Sequence, residues 1–140
     1  MSIRQLIYRS QKAPGLPESD LPALLQESKG RNTEHEITGM LFYIDGFFIQ
    51  CIEGSDPDVE QLLSNIIRDK RNTNVVVLRD IMLKQRAFPT WWMGFRSMSA
   101  AELMQQKGFI ELNDKESLEN LLSRHQDILQ LMKDFYDAPQ

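Results

Sequence analysis

One cysteine in 140 residues leaves this chain without any internal disulfide. Cys51 lies in an apolar run and reads as a small buried hydrophobe. A chain free of disulfides suits a reducing compartment, so a cytoplasmic location is expected. No apolar run approaches the roughly 18 residues of a membrane span, and no membrane partner is expected. The N-terminal MSIRQLIYRSQ has neither a long apolar core nor an A-x-A cleavage pattern, which predicts no signal peptide. No run of five basic residues occurs and the formal charge is −4, which argues against nucleic acid as the main ligand. His35 and His125 stand far apart with no cysteine or carboxylate at ligand spacing, so no metal site is predicted. Neither a G-x-G-x-x-G fingerprint nor a P-loop is present, and no Ser-His-Asp arrangement can be read. Internal repeats and low-complexity tracts are absent as well.

What is present is a regular alternation of short elements. Ile3-Arg4-Gln5-Leu6-Ile7-Tyr8 is a short strand, and KAPGLPES is a Pro/Gly connection. Residues 20–29 space Leu21, Leu24 and Leu25 helically, with Gly30 as the expected stop. ITGMLFYI (37–44) and FFIQCIEG (47–54) are β-rich and flank Asp45-Gly46, a strong hairpin signal. Ser55 is a good N-cap, followed by acidic Asp56 and Asp58 and a helix with Val59, Leu62, Leu63, Ile66 and Ile67 on one face. VVVLRDIML (75–83) is a strand, and FPTWWMGF (88–95) is a further short one. The order β-α-β-β-α-β, then β, predicts an α+β, ferredoxin-like fold: an antiparallel or mixed sheet with two helices on one face. Residues 1–97 form the expected core. Residues 98–140 form an expected C-terminal helical extension, with Leu118, Leu121, Leu122, Ile128 and Leu129 among its apolar positions.

A two-residue loop at Asp45-Gly46 sets Leu41 opposite Gln50. It puts Gln50 on one sheet face with Ile37, Gly39, Leu41, Tyr43, Phe48 and Ile52. Met40, Phe42, Ile49 and Cys51 take the other face. Both faces are apolar and two helices cover only one, so the C-terminal helices, a partner chain or both are expected on the second, and a homo-oligomer is expected. A buried primary amide left unpaired costs about 1–3 kcal/mol, so Gln50 needs partners. Tyr8, on the same face of the first strand as Leu6, is the nearest candidate. A hydrogen bond satisfying both is the simplest account.

The ordered set of LIYRSQ with Tyr8 and Ser10, RN at 31–32, ITGMLFY, GFFIQCIEG with Gln50, Glu53 and Gly54, IIRDKRN at 66–72, and RAFPTWWMGF with Phe88, Trp91 and Met93 resembles the BLUF family, blue-light sensors that use FAD. The resemblance covers residues 2 to about 97. It implies a flavin slotted between the two helices with its edge toward the sheet, and FMN or riboflavin as substitutes for FAD. Gln50 then lies between the Tyr8 hydroxyl and flavin N5/O4, and Asn32 matches the residue that hydrogen-bonds the flavin carbonyl edge. Leu24, Leu25, Ile37, Ile66 and Ile67 are the expected slot residues. Trp91 and Met93 match the family's pair near the glutamine, which bears on signal transmission. Many members carry Asp-x-Arg-His at the end of the second helix. Here Asp69 and Arg71 keep the pattern and join the expected cofactor set, while Asn72 replaces the histidine. Arg31 stands where relatives often have Asn or His and is a candidate for the flavin carbonyl or phosphate side, or a solvated charge.

The resemblance implies photochemistry rather than turnover. Tyr8 donates an electron to the excited flavin. Gln50 relays the phenolic proton, and its amide is left rotated or as its imidic tautomer, which moves the absorption to longer wavelength. With no attached catalytic domain expected, the output passes through contacts with a partner protein. A flavin enzyme or electron-transfer protein, and a ferredoxin-like interaction module without cofactor, are the alternatives of other classes.

Overall fold

The computed structural model describes residues 2–88 and 92–98. Its elements are β1 (Ile3–Lys12), a 3-10 turn (Glu18–Asp20), α1 (Leu21–Glu34), β2 (Thr38–Ile44), β3 (Phe47–Gly54), α2 (Asp56–Arg68), β4 (Asn72–Leu83) and β5 (Trp92–Met98). The sheet runs β4-β1-β3-β2-β5. Its first four strands pair antiparallel, and β5 joins β2 in parallel at the edge. This is the ferredoxin-like α+β arrangement, with a fifth strand added and the sheet therefore mixed. Among the described residues no helix is long and apolar enough to cross a membrane.

The hairpin sits where the Asp-Gly pair puts it. Asp45 and Gly46 have φ of 46° and 90°, the two left-handed residues of a tight two-residue turn. The register that follows pairs Leu41 with Gln50 and Ile44 with Phe47. One sheet face carries Leu6, Tyr8, Leu41, Tyr43, Phe48 and Ile52 into a core shared with Leu21, Ile37 and Val59. The other face, with Met40, Phe42, Ile49 and Cys51, is buried too. The helices expected within residues 99–136 lie outside the described residues, and β5 runs one residue past the expected division after residue 97.

Gly39 explains why β2 and β3 approach so closely. Its φ is +152°, and a Cβ there would sit 1.8 Å from the Cys51 carbonyl oxygen. Only a residue without a side chain fits.

Helix α1 does not stop at Gly30, as its sequence suggests, but continues to Glu34. A helix-interior glycine costs only about 1 kcal/mol, which neighbouring turns can carry. The stop lies further on. Glu36 takes φ 54°, its N–H donates to the Thr33 carbonyl, and the Ile37 N–H donates to the Asn32 carbonyl. This is a Schellman closure with glutamate in the place usually held by glycine. The extra turn brings Asn32 into the interior. At α2, Ser55 caps as expected, its Oγ accepting from the Asp58 N–H at 3.3 Å.

Candidate functional site

Between α1 and α2, above the sheet face that carries Gln50, opens a cleft of about 580 Å³ including its mouth. Tyr8 and Gln50 form its floor with Leu41 and Phe48. The two polar residues stand opposite each other in the β1–β3 register, and the Tyr8 hydroxyl donates to Gln50 Oε1. Both are buried. Burial pushes the Tyr8 phenol well above its ordinary range, and the negative charge of Asp69 adds to the shift. Tyr8 therefore stays a neutral hydrogen-bond donor at any physiological pH.

The walls are Leu24 and Ser28 from α1 and Leu62 and Ile66 from α2. At the C-terminal end of α1, Asn32 is 1% exposed, and its Nδ2 has no hydrogen-bond partner among the described residues. An unmet buried donor of this kind costs about 1–3 kcal/mol and calls for an acceptor in the cleft. Across from it, Asn72 donates from Nδ2 to the carbonyls of Ile66 and Asp69, 3.1 and 2.9 Å away. Those two bonds fix the amide, and its buried Oδ1 is left without a donor among the described residues. At the rim Arg71 grips Asp69 through Nε and Nη2 and reaches Glu27 Oε2 at 3.1 Å. The Arg71 hydrogen bonds hold the Asp69 carboxyl below its usual range, against the opposing effect of partial burial. Arg31 also lines the cleft, half exposed and 3.9 Å from Glu27. A smaller cleft shares Arg31, Asn32 and Leu62 and extends past Ile37 to His35 and Asp58.

The structure thus gathers Tyr8, Leu24, Arg31, Asn32, Gln50, Ile66, Asp69 and Arg71 around one cleft. Ile37 lies under the adjoining one, and Leu25 packs on the core without lining the main cleft. Ile67 is a correction. It is 59% exposed, because one residue beyond Ile66 turns the side chain about 100° around the helix and off the slot. Met93 lies on β5, whose backbone alone is described, and Trp91 lies outside the described residues. The sequence reading did not single out Ser28, Leu41, Phe48, Leu62 and Asn72 as site residues. Leu41 and Phe48 share the Gln50 face by hairpin register, and Leu62 stands one turn before Ile66, so those signals were available. The Asn72 capping bonds depend on where α2 ends, which its letters do not announce.

A ligand suited to this cleft has a flat apolar body, carbonyl acceptors for Asn32 Nδ2 and an N–H for Asn72 Oδ1. A flavin ring carries all three. The family model for sensors of blue-light using FAD, BLUF, matches residues 3–94. The chain belongs to the BLUF family.

Other similarities agree with this BLUF assignment. The photoactivated adenylate cyclase subunit beta of Euglena longa is 33% identical over 91 residues, which cover 65% of this chain and 11% of that protein. The blue light- and temperature-regulated antirepressor BluF of Escherichia coli (strain K12) is 30% identical over 73 residues, 52% of this chain and 18% of that one. The chain thus spans a small part of the curated relatives it matches. Among solved structures, the photo-activated state of BlsA has a TM-score of 0.79 at 26% identity, covering 100% of this chain and 98% of that one. The dark state of the BLUF protein BlrB has a TM-score of 0.74 at 28% identity, covering 94% and 93%.

Proposed function

We propose that this BLUF chain is a blue-light photoreceptor that holds FAD non-covalently between α1 and α2 and signals by protein contact rather than by turnover. FMN or riboflavin can occupy the same cleft, because the groups that meet the ring do not distinguish them. A bound flavin supplies the absorption of blue light and an acceptor for one electron. Every other part falls to side chains of this chain. Asn32 Nδ2 would hold a ring carbonyl, and Leu24, Leu62 and Ile66 would exclude water from the ring faces. Arg31 and Arg71 stand at the rim, where an anionic tail would emerge.

Tyr8 is the electron donor. Its buried phenol does not lose a proton first, so the proton leaves with the electron or after it, and it has an acceptor already aligned in Gln50 Oε1. When the electron returns to the Tyr8 radical and a proton goes back to its phenoxyl oxygen, the Gln50 amide is left in a different arrangement, rotated or as its imidic tautomer, and presents altered donors to the cleft. The change passes along the sheet to β5, which carries Met93, and from there to a partner protein or a second copy of the chain.

The Tyr8–Gln50 hydrogen bond at the floor of a cleft with an unmet Asn32 donor carries this reading. An absorption spectrum tests it. The purified protein is expected to be yellow, to shift slightly red under blue light and to recover in the dark without reductant. Bleaching by NADH would replace the photoreceptor with a flavin enzyme, and a colourless folded protein from flavin-replete cells would leave an interaction module.

A further inference from the structure

Glu53 is a buried carboxyl group that the photochemistry leaves unused. It lies on β3, three residues from Gln50 and on the opposite face of the sheet, and it is 0% exposed. An isolated carboxylate at such a position is strongly disfavoured unless it is fully hydrogen-bonded. Its partners are specific. Gln5 Nε2 donates to Oε2 at 2.8 Å, and Gln5 Oε1 in turn accepts from Arg79 Nε at 2.7 Å, which brings a cation to the carboxylate through one amide. The backbone N–H groups of Ala87 and Phe88 donate to Oε2 and Oε1 at 2.9 and 2.8 Å. Arg86 Nη1 donates to the Glu53 carbonyl and to Thr38 Oγ1, both at 2.8 Å.

Three consecutive residues of the β4–β5 connection are therefore fastened to the Thr38–Glu53 pair of the β2–β3 ladder. The next β2 residue, Gly39, pairs with Trp92 at the start of β5. Among the described residues β5 joins the sheet only as the parallel partner of β2, so its entry point depends on how the connection is held.

The geometry points to Glu53 as a positioning residue. Its carboxylate latches the 86–88 connection to β3 and so makes the start of β5 follow the strand that carries Gln50. The latch rests on the photoreceptor reading for its use in signalling, but not for its existence. Gln50 and Glu53 are about 10 Å apart along one strand, so a shift of the strand backbone at Gln50 reaches the latch without passing through any other element.

Glu53→Gln in the full flavin-loaded chain tests it. The substitution keeps the volume and removes a buried charge, so folding is expected to survive. It cannot keep the latch. The carboxylate accepts three donors on two oxygens, whereas a carboxamide has one oxygen. Its NH₂ must face Phe88 N–H in one orientation and Ala87 N–H in the other. In the dark, hydrogen exchange at Ala87 or Phe88 is expected to accelerate roughly tenfold or more, while wild type protects both. Under blue light the variant is expected to keep its red shift and to lose more than half of the wild-type light–dark exchange difference over residues 92–98. Gln5→Leu is the control: it weakens the buried cluster from the β1 side but leaves both connection N–H groups on the carboxylate, and the light–dark difference over 92–98 is expected to persist.

Unprotected Ala87 and Phe88 amides in wild type, or unchanged dark exchange in Glu53→Gln, would overturn the latch. A full light–dark difference over 92–98 in Glu53→Gln, or its loss in Gln5→Leu as well, would overturn its role in coupling. A wild-type protein with no red shift would instead remove the photoreceptor reading, and the dark measurement would still decide the latch.

Discussion

A phenol buried against a carboxamide oxygen is a poor acid and a ready source of a coupled electron and proton. That makes Tyr8 the sharpest single test of the site. Tyr8→Phe removes one hydroxyl and its bond to Gln50 Oε1, but the cleft keeps its shape. Flavin is expected to remain bound and the red-shifted state to be absent in light-minus-dark spectra; a normal photocycle in this variant would take the donor role from Tyr8. Asn32 makes a different prediction, because its Nδ2 lacks a partner among the described residues. Asn32→Ala should leave the stability of the flavin-free protein unchanged or slightly higher, since alanine is the better helix former. It should weaken flavin by roughly 1–3 kcal/mol, about 5- to 150-fold in Kd by fluorescence titration. Equal affinity would remove Asn32 from the ligand set. At this scale the sequence was informative where register decides. The Asp45-Gly46 turn puts Gln50 on the Tyr8 face, and that follows from letters alone. It was uninformative where a helix end decides. Asn72 acquires its place from the last turn of α2, and Ile67 loses its place because it lies one residue past the slot-facing Ile66.

Two backbone positions govern the elements that frame the cleft, and they act in opposite senses. Gly39 is irreplaceable because any Cβ meets the Cys51 carbonyl oxygen at 1.8 Å, and a backbone atom cannot swing aside. Gly39→Ala is expected to open the β2–β3 ladder and to destabilise by more than about 4 kcal/mol, seen as loss of the folded circular dichroism signal at room temperature. Glu36 is the reverse case, a side chain held at φ 54° where glycine is the usual occupant. Glu36→Gly relieves the left-handed strain at α1's end but adds freedom to the unfolded chain. The balance is expected to raise stability by up to about 1 kcal/mol in denaturant unfolding, and a loss of stability would show that the Glu36 side chain contributes more than its backbone costs. The same two positions show what was legible in the elements. Alternation, the Asp-Gly turn and the Ser55 cap gave strand order and helix starts. The end of α1 was misplaced at Gly30 because a glycine in a helix is a weak stop when the next turn is packed. The true closure uses a glutamate that no letter-based rule would choose.

For the whole molecule, the cleft is where folding and ligand binding share free energy. α1 and α2 both rest on the same sheet face, yet between them they leave an open slot with an unmet donor at Asn32 and an unmet acceptor at Asn72. A ring that fills the slot supplies apolar contact to Leu24, Leu62 and Ile66 and partners to both amides. It does so only in the folded chain, since no cleft exists in the unfolded one. Binding is therefore linked to stability. Free flavin at about a hundred times its Kd should add roughly 2.7 kcal/mol, which for a chain of this size raises Tm by about 10 °C. The measurement is thermal unfolding of flavin-free protein followed at 222 nm against increasing FAD. The midpoint should climb with the logarithm of flavin concentration, and in Asn32→Ala the same curve should be displaced to higher flavin by the factor found in titration. A midpoint indifferent to FAD would mean that the slot does not hold the ring, whatever colour the purified protein carries.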